Sequence, residues 1–244
     1  MAEVTSNLKL LNMRLLFLHG MTCPPVAYQR HLAPKLLRAL DEGGYDVTFL
    51  KSPRPYSGEV PQWAKDLMPT IADDDHPEWY NARDGDDGTK VLDGLNGTLE
   101  FIKEFILKQD EPFDVVMGHS QGAQLAAILT LLLESDKTWL PKYGMPWKLL
   151  VLLSPPNPFD TEATLADRVK KHGRIKTPSL HVYGGEKYYT LDGSKRMRVV
   201  HFGEDSTTVR EFSHDEGHFG PDDNEEKCLE LVAVMSEMLE SLGG

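Results

Sequence analysis

Residues 113–127 of the 244-residue chain read FDVVMGHSQGAQLAA, and their pattern is the most informative about the fold. An apolar run ends at Gly118, and Ser120 is followed by Gly122 and by small residues that begin a helical pattern. A serine between two glycines, entered from a strand and left by a helix, is the nucleophile elbow pattern. This turn is sharp and strained, and the glycines on both sides of it leave room for the backbone. The N-terminus of the following helix favours negative charge at the serine. The stretch therefore predicts that the Ser120 hydroxyl projects above a sheet as a candidate nucleophile.

Short apolar runs recur on both sides of this stretch, with amphipathic stretches between them. The strand candidates are residues 13–18, 46–50, 113–117, 147–153, 178–183 and 209–212, and the helix candidates are residues 28–40, 92–107 and 225–242. Runs that are apolar on both faces are typical of a parallel sheet covered by helices. Because strands alternate with helices, we expect one α/β domain over residues 1–244, with a mostly parallel, doubly wound sheet and helices on both faces. Residues 52–88, rich in Pro, Gly and Asp, are predicted to form a long loop over one face.

Composition and charge exclude several classes of protein. Hydrophobic residues make up 40% and charged residues 26% of the chain, as in ordinary globular proteins. There are 26 Lys and Arg against 38 Asp and Glu, and the net charge of −12 would repel a nucleic acid backbone. No apolar run approaches the roughly 18 residues that a membrane span needs. The acidic run 73–76 lacks the spaced ligands that a metal site needs. Cys23 and Cys228 cannot form a disulfide scaffold, and the first residues show no secretory signal, so we expect a cytoplasmic protein without nucleic acid or membrane partners.

The end of the first strand candidate supplies a second element of the predicted site. His19 and Gly20 follow that strand, where hydrolases with a nucleophile elbow place half of an oxyanion hole. The backbone N–H of Met21 would join that of Gln121 in binding a developing oxyanion. We interpret His19 itself as structural. We interpret Cys23 as a residue that lines a pocket, because no helix begins there to activate its thiol.

A serine hydroxyl at neutral pH needs a base, which in this fold comes after the nucleophile and the acid along the chain. Of nine histidines, His218 is the best placed, because it lies between the last strand candidate and the C-terminal helix. His214 is the alternative, since it lies nearer the end of that strand. His119 directly precedes the serine and cannot easily turn back to serve it.

The sequence leaves the identity of the acid open. An acid is expected a few residues after the strand candidate 178–183, where the chain has Tyr188. Asp192 is our preferred candidate, although it also suits the N-cap of a following helix. Glu186, which lies earlier, and Asp160, which follows the preceding strand, are the alternatives, because triad geometry matters more than chain position.

Several residues are candidates for a substrate pocket. Trp79 and Tyr80 in the long loop either line an acyl pocket or anchor the loop to the core. Pro155, Pro156 and Phe159 follow the carboxyl end of a strand, where ligands enter open α/β sheets.

Motifs spread over the whole chain resemble one family. They are residues 18–24 (LHGMTCP), 77–80 (PEWY), 112–115 (PFDV) leading into 118–123 (GHSQGA), 178–184 (PSLHVYG) and 217–219 (GHF). Taken in this order, they resemble the small fungal serine hydrolases called FSH, a branch of the α/β-hydrolases. The resemblance implies an α/β-hydrolase fold, Ser120 as nucleophile, His218 as base, esterase or thioesterase activity, and no cofactor.

Two stretches narrow the resemblance, and one departs from it. Residues 19–24 and 191–195 are most similar to the stand-alone thioesterases that release polyketides, which implies a small-molecule ester or thioester of a hydrophobic chain, handed over by a carrier protein. Residues 185–188 read Gly-Glu-Lys-Tyr where the family has Gly-x-x-Asp. The alternatives are a general carboxylesterase for small metabolite esters and a weakened binding protein on the same fold, which Tyr188 favours.

Overall fold

The computed structural model describes residues 12–85, 90–136, 139, 147–156, 169–170, 173–184, 202 and 208–242. Its strands are β1 (Met13–Leu18), β2 (Tyr45–Leu50), β3 (Asn81–Asp84), β4 (Lys90–Asp93), β5 (Val115–His119), β6 (Leu149–Leu153), β7 (Ser179–Tyr183) and β8 (Val209–Ser213). Six of them form a parallel sheet in the order β2-β1-β5-β6-β7-β8, whereas β3 and β4 pair as a separate antiparallel hairpin. Because parallel strands end at the same edge of a sheet, the loops after β1, β5 and β8 meet at one edge.

Helices connect the strands of the parallel sheet. They are α1 (Pro25–Ala27), a π-helical turn (Tyr28–Leu32), α2 (Pro34–Glu42), α3 (Gln62–Leu67), a 3-10 turn (Asp73–Asp75), α4 (Leu95–Leu107), α5 (Gln121–Ser135) and α6 (Glu225–Leu242). None of the described helices is long and apolar enough to cross a lipid bilayer.

Two apolar cores lie on opposite faces of the sheet. Successive β1 residues belong to different cores, with Leu15 in the first and Leu16 in the second. The first core also contains the buried faces of α2 and α6, and the second contains those of α4 and α5. This alternation is what a sheet covered on both faces requires. The predicted parallel, doubly wound α/β fold is confirmed.

The stretch predicted as one helix over residues 28–40 forms two elements. They meet at Ala33, whose φ of −151° is not helical, because Pro34 begins the next helix and a proline disfavours helical geometry in the residue before it. The break leaves Tyr28 on the π-helical turn. There its side chain is buried, and its hydroxyl contacts the end of β1 at Gly20.

The segment predicted as a long loop, residues 52–88, contains regular structure. It holds α3, the 3-10 turn and β3, which pairs with β4. The helix predicted from Leu92 begins at Leu95 instead, because Gly94 adopts a φ of +86° and separates the hairpin from the helix. Each strand of this hairpin has four residues, and so short an apolar pattern cannot be told from the start of the neighbouring helix.

Candidate active site

Ser120 lies in the sharp turn between β5 and α5. Its φ of +53° and ψ of −118° are strained for a residue other than glycine. Gly122 packs so closely on the end of β1 that a Cβ atom there would lie 2.1 Å from the Leu18 carbonyl oxygen. A Cβ atom at Gly118 would lie 2.3 Å from the Gly122 carbonyl oxygen. Both glycines of the motif are needed for close backbone approach, and the turn has the geometry of the predicted nucleophile elbow.

A second strained serine, Ser154, follows the neighbouring strand β6. It has a φ of +43°, and its N–H donates to the Val182 carbonyl oxygen at 2.9 Å. The Ser120 N–H donates in the same way to Leu153, the residue before Ser154, at 2.9 Å. The Ser154 hydroxyl is buried and has no hydrogen-bond partner among the described residues. Sequence reasoning missed this neighbour of the candidate nucleophile, because no pattern marks it.

The two backbone amides predicted for the oxyanion hole have no acceptor within the described part of the chain. Among the residues that the structure describes, neither the Met21 N–H nor the Gln121 N–H donates a hydrogen bond. The turn that carries Met21 is held by its neighbours. The Thr22 N–H donates to the Pro77 carbonyl oxygen at 2.7 Å, and the His76 Nδ1–H donates to the Thr22 carbonyl oxygen at 2.6 Å. Unpartnered amides on a fixed backbone are what an oxyanion hole requires.

Trp79 and Tyr80 anchor the loop to both halves of this site. The Trp79 Nε1–H donates to the His19 carbonyl oxygen at 2.7 Å, and its backbone N–H donates to Gln121 Oε1 at 2.8 Å. The Gln121 side-chain amide donates in turn to the Tyr80 carbonyl oxygen at 2.8 Å. Both aromatic side chains are buried. Of the two interpretations made from the sequence, the structure favours an anchor over a pocket wall.

Two residues near the end of β1 are held in unreactive states. His19 donates from Nδ1 to the Gly20 carbonyl oxygen at 2.8 Å and accepts the Ser52 N–H at Nε2 at 3.0 Å, while burial lowers its pKa to about 4. With both nitrogens occupied, its geometry is that of a structural residue. Cys23 is buried in the first core, and burial raises the pKa of its thiol to about 12. The expectation that Cys23 lines a pocket is wrong, because its side chain packs inside the core.

His218 lies on the loop between β8 and α6, and this loop contacts the residue before Ser120. The His119 Nε2–H donates to the His218 carbonyl oxygen at 2.8 Å, and the two rings are 4.9 Å apart. Burial lowers the pKa of His218 to about 4, so its ring is neutral at physiological pH, as a general base must be. Its Nδ1 is buried without a hydrogen-bond partner in the described part of the chain. The described residues therefore leave the place of a triad acid open.

Some predicted site residues lie outside the described residues: Asp192, Glu186, Asp160, Tyr188 and the pocket candidate Phe159. The end of β7, which precedes two of these candidate acids, is nevertheless close to the His218 loop. A Cβ atom at Gly184 would lie 2.7 Å from the carbonyl oxygen of Gly217, the residue before His218. Of the remaining pocket candidates, Pro155 is buried and Pro156 is half-buried.

The alternative base, His214, follows β8 directly. Its backbone N–H donates to the Tyr183 carbonyl oxygen at 3.1 Å, and burial lowers its pKa to about 4. Both of its ring nitrogens are buried without partners among the described residues. No hydrogen bond or ring contact in that part of the chain joins His214 to the Ser120 turn, whereas His218 is joined to it through His119. The geometry favours His218.

Solved structures with a similar architecture include several hydrolases. An uncharacterized protein from Bacillus cereus ATCC 10987 aligns with a TM-score of 0.57 and 16% identity over 93% of this chain, which spans only 60% of that protein. MGS-MChE2, an alpha/beta hydrolase enzyme from the metagenome of lagoon sediments of Mar Chica, Morocco, aligns with a TM-score of 0.54 and 14% identity over 95% of this chain and 92% of that one. The thioesterase domain from the curacin biosynthetic pathway aligns with a TM-score of 0.50 and 15% identity over 91% of this chain and 90% of that one. At such identities the likeness shows the fold alone.

The family follows from a match of the sequence itself. No curated protein matches the chain at a significant level. Residues 10–228, which include the Ser120 turn and His218, match the family described as serine hydrolase (FSH1). The match covers most of the chain and agrees with the six-stranded parallel sheet and its elbow. The chain therefore belongs to the FSH1 serine hydrolase family.

Proposed function

We propose that the protein hydrolyses an ester or thioester of a hydrophobic acyl chain through a covalent intermediate on Ser120. The observation that carries the proposal is the strained elbow, which holds Ser120 at a φ of +53°. The amides of Met21 and Gln121, which donate to none of the described residues, and the loop of His218 lie at the same edge of the sheet. Membership of a serine hydrolase family supports the same chemistry.

Each group has one task in the proposed mechanism. His218 takes the Ser120 proton as the serine oxygen bonds to the substrate carbonyl carbon, and the Met21 and Gln121 amides stabilise the oxyanion. The C–O or C–S bond to the leaving group then breaks, and His218 gives the proton to the departing alcohol or thiol. Water attacks the acyl-enzyme with His218 again as base, which frees the carboxylic acid and restores Ser120. These steps use only the chain's own groups and water.

We propose Asp192 as the acid of the triad, with Glu186 and Asp160 as the alternatives. The buried, unpartnered Nδ1 of His218 supports an acid contributed from beyond the described residues. The close approach of the β7 end to the His218 loop supports a position on the segment that follows β7.

An exposed apolar surface near the site supports a hydrophobic acyl group. Trp63 and Leu67, one turn apart on α3, are 43% and 45% exposed, and Met21 is 37% exposed. The Trp63 ring lies 6.2 Å from the ring of Phe219, the residue after His218. Large exposed apolar side chains beside a reactive centre favour a ligand with apolar area to bury. We therefore assign the acyl chain to the surface formed by Trp63, Leu67 and Phe219.

The finer substrate assignment rests on the sequence. Residues 19–24 and 191–195 are similar to the stand-alone thioesterase that releases the polyketide of the lovastatin pathway. On this ground we propose a polyketide-like acyl thioester delivered by a carrier protein in cytoplasmic secondary metabolism. Hydrolysis rates on matched oxygen esters and thioesters test this assignment. Faster turnover of short oxygen esters would favour a general carboxylesterase instead.

A second candidate function is a binding protein that keeps the fold and has lost efficient catalysis. Residues 185–188 favour it, because Tyr188 stands where the family has its acid. Such a protein would bind the acyl ligand tightly, and its slow background turnover would not change in a Ser120→Ala variant.

Labelling with a fluorophosphonate tests the proposed function before the substrate is known. We expect rapid modification confined to Ser120, mapped by mass spectrometry and absent from Ser120→Ala. Ser135→Ala, which changes a serine at the far end of α5, is the matched control and should label normally. A folded wild-type protein that does not label would contradict the hydrolase and leave the binding protein.

The same assay identifies the acid. Asp192→Asn, Glu186→Gln and Asp160→Asn are labelled alongside the wild type. We expect Asp192→Asn to slow labelling most, because a base without its acid is poorly oriented and poorly stabilised as a cation. Equal rates in all three variants would contradict an acid among them.

A further inference from the structure

A buried chain of hydrogen bonds runs from the oxyanion loop to the loop of the base. The Gly20 N–H donates to the Tyr28 hydroxyl oxygen at 2.8 Å, and that oxygen lies 2.6 Å from His119 Nδ1. On the other side of the ring, His119 Nε2 lies 2.8 Å from the His218 carbonyl oxygen. The side chains of Tyr28 and His119 are each 1% exposed. The chain therefore joins two loops through groups that water does not reach.

The direction of every hydrogen bond in this chain is fixed by the chemistry of its ends. The His218 carbonyl oxygen can only accept, so Nε2 of the neutral His119 ring carries the hydrogen and donates it there. Nδ1 of that ring is then unprotonated and accepts the Tyr28 O–H, while the Tyr28 oxygen accepts the Gly20 N–H. Burial lowers the pKa of His119 well below its usual value, which keeps this neutral form.

We propose that His119 is a positioning residue, which Tyr28 holds in the Nε2–H form so that it fixes the backbone of His218. The inference rests on the proposed function, in which His218 serves Ser120 as base. A base must be held within about half an ångström of the productive geometry, so a fixed backbone at His218 raises the rate. The same chain ends at Gly20, the residue before the Met21 amide, and so couples the oxyanion loop to the base loop.

The space around these hydrogen bonds indicates that the His119 ring does more than fill volume. A Cβ atom at Gly20 would lie 2.7 Å from His119 Nδ1 and 3.2 Å from the Tyr28 hydroxyl oxygen. The glycine of the His19-Gly20 pair therefore makes room for the Tyr28 and His119 polar groups. If the His119 ring were needed only for packing, its two nitrogens would not need hydrogen-bond partners. A phenylalanine at this position would then pack as well.

Kinetic variants test the proposal. His119→Phe keeps an aromatic ring and removes both hydrogen bonds, and we expect Ser120 to react with a fluorophosphonate about ten- to a hundredfold more slowly. With an ester substrate the loss should fall on kcat, with KM little changed, because the ring does not touch the substrate. His119→Gln can still donate to the His218 carbonyl oxygen and should recover part of the rate. Tyr28→Phe removes the bond to Nδ1 and keeps the bond to the His218 carbonyl oxygen, so its labelling rate should fall between those of His119→Phe and the wild type.

Controls separate positioning from stability. His31→Phe changes an exposed histidine whose ring contacts Thr70 and should alter neither the rate nor the melting temperature. A His119→Phe protein that folds and labels at the wild-type rate would overturn the proposal. A His119→Gln protein that recovers none of the rate, although its melting temperature equals that of the wild type, would overturn it as well.

Nitrogen NMR of the wild-type protein tests the chain without any activity. With ¹⁵N-labelled histidine, His119 should show a protonated Nε2 and an unprotonated Nδ1, with a slowly exchanging ring proton, over the neutral pH range. A protonated Nδ1 or a rapidly interconverting ring would overturn the inference even if every variant failed to fold. A wild-type protein that fails to label at Ser120 while showing the expected tautomer would instead contradict the proposed function.

Discussion

His19 in the loop after β1 is buried and His218 in the loop after β8 is half-buried, and the two differ in their hydrogen bonding. Burial lowers the pKa of both His19 and His218 to about 4. His19 uses both ring nitrogens, toward Gly20 and Ser52, whereas His218 leaves Nδ1 unpartnered among the described residues. A buried polar atom without a partner costs free energy, so its presence calls for an explanation in function. Hydrogen bonding, rather than pKa, separates His19 from His218. The contact with His119 separates His218 from His214, whose ring nitrogens are also unpartnered among the described residues.

Substituting the two histidines by alanine is the strongest test of this difference. We expect His218→Ala to slow fluorophosphonate labelling of Ser120 by about 10⁴-fold, because the serine loses its base. We expect His19→Ala to change that rate by less than about tenfold but to lower the free energy of unfolding by about 2–4 kcal/mol, since it leaves two buried backbone groups unpaired.

The measurements are the labelling rate and a urea unfolding curve for each variant. The urea curve of His218→Ala should stay close to that of the wild type. If His19→Ala slowed labelling more than His218→Ala did, without any loss of stability, His19 would be the base and His218 the structural residue. His214→Ala, the variant of the alternative base, should label at close to the wild-type rate.

A backbone substitution in the β1 loop tests whether its amide, rather than its histidine ring, takes part in the reaction. The Met21 N–H donates no hydrogen bond among the described residues, so Met21→Pro removes a donor without breaking any bond seen there. We expect the labelling rate to fall by about 10²–10³-fold, the usual loss for one oxyanion donor. Met21→Ala keeps the amide and is the control. Equal rates in the two variants would exclude Met21 from the oxyanion hole.

Acid should destabilise the protein through its buried neutral histidines. The folded-state pKa of His19 is about 4, below its value of 6.5 in an unfolded chain, so the unfolded state binds more protons as the pH falls. The stabilisation is fully present above about pH 6.5 and is lost progressively toward pH 4, by about 3 kcal/mol for His19 alone. Urea unfolding at a series of pH values measures this, and a flat profile from pH 7 to 4 would contradict it.

The elbow and the strands could be predicted from the sequence because they depend on local chemistry. The glycines two positions before and after Ser120 and the runs apolar on both faces are visible without any knowledge of the fold. The chain through Tyr28 and His119 could not be predicted, because it joins residues 91 positions apart. Tyr28 also lies on the π-helical turn before the helix break at Ala33, and the apolar pattern of residues 28–40 does not show that break.

Burial likewise could not be predicted from residue type alone. Trp79 and Trp63 both lie in the segment expected to be a loop, and both are large aromatic residues. Trp79 is fully buried between the oxyanion loop and the elbow, whereas Trp63 is 43% exposed beside Phe219. Only the packing of α3 and of the loop distinguishes an anchor from a surface that a ligand can cover.

The smallest expected effect comes from Trp63, which belongs to the apolar surface next to the His218 loop. We expect Trp63→Ala to lower kcat/KM for a long-chain acyl ester by about tenfold and to leave an acetyl ester almost unchanged, because only the long chain reaches the lost apolar surface. Leu229→Ala, which removes a side chain of 47% exposure on α6, is the matched control and should change neither substrate. The measurement is the ratio of the two specificity constants in each variant. If this ratio were unchanged in Trp63→Ala, the acyl chain would bind elsewhere on the molecule. The assignment of the reactive groups would stand, because Trp63 contacts Phe219 rather than His218 itself.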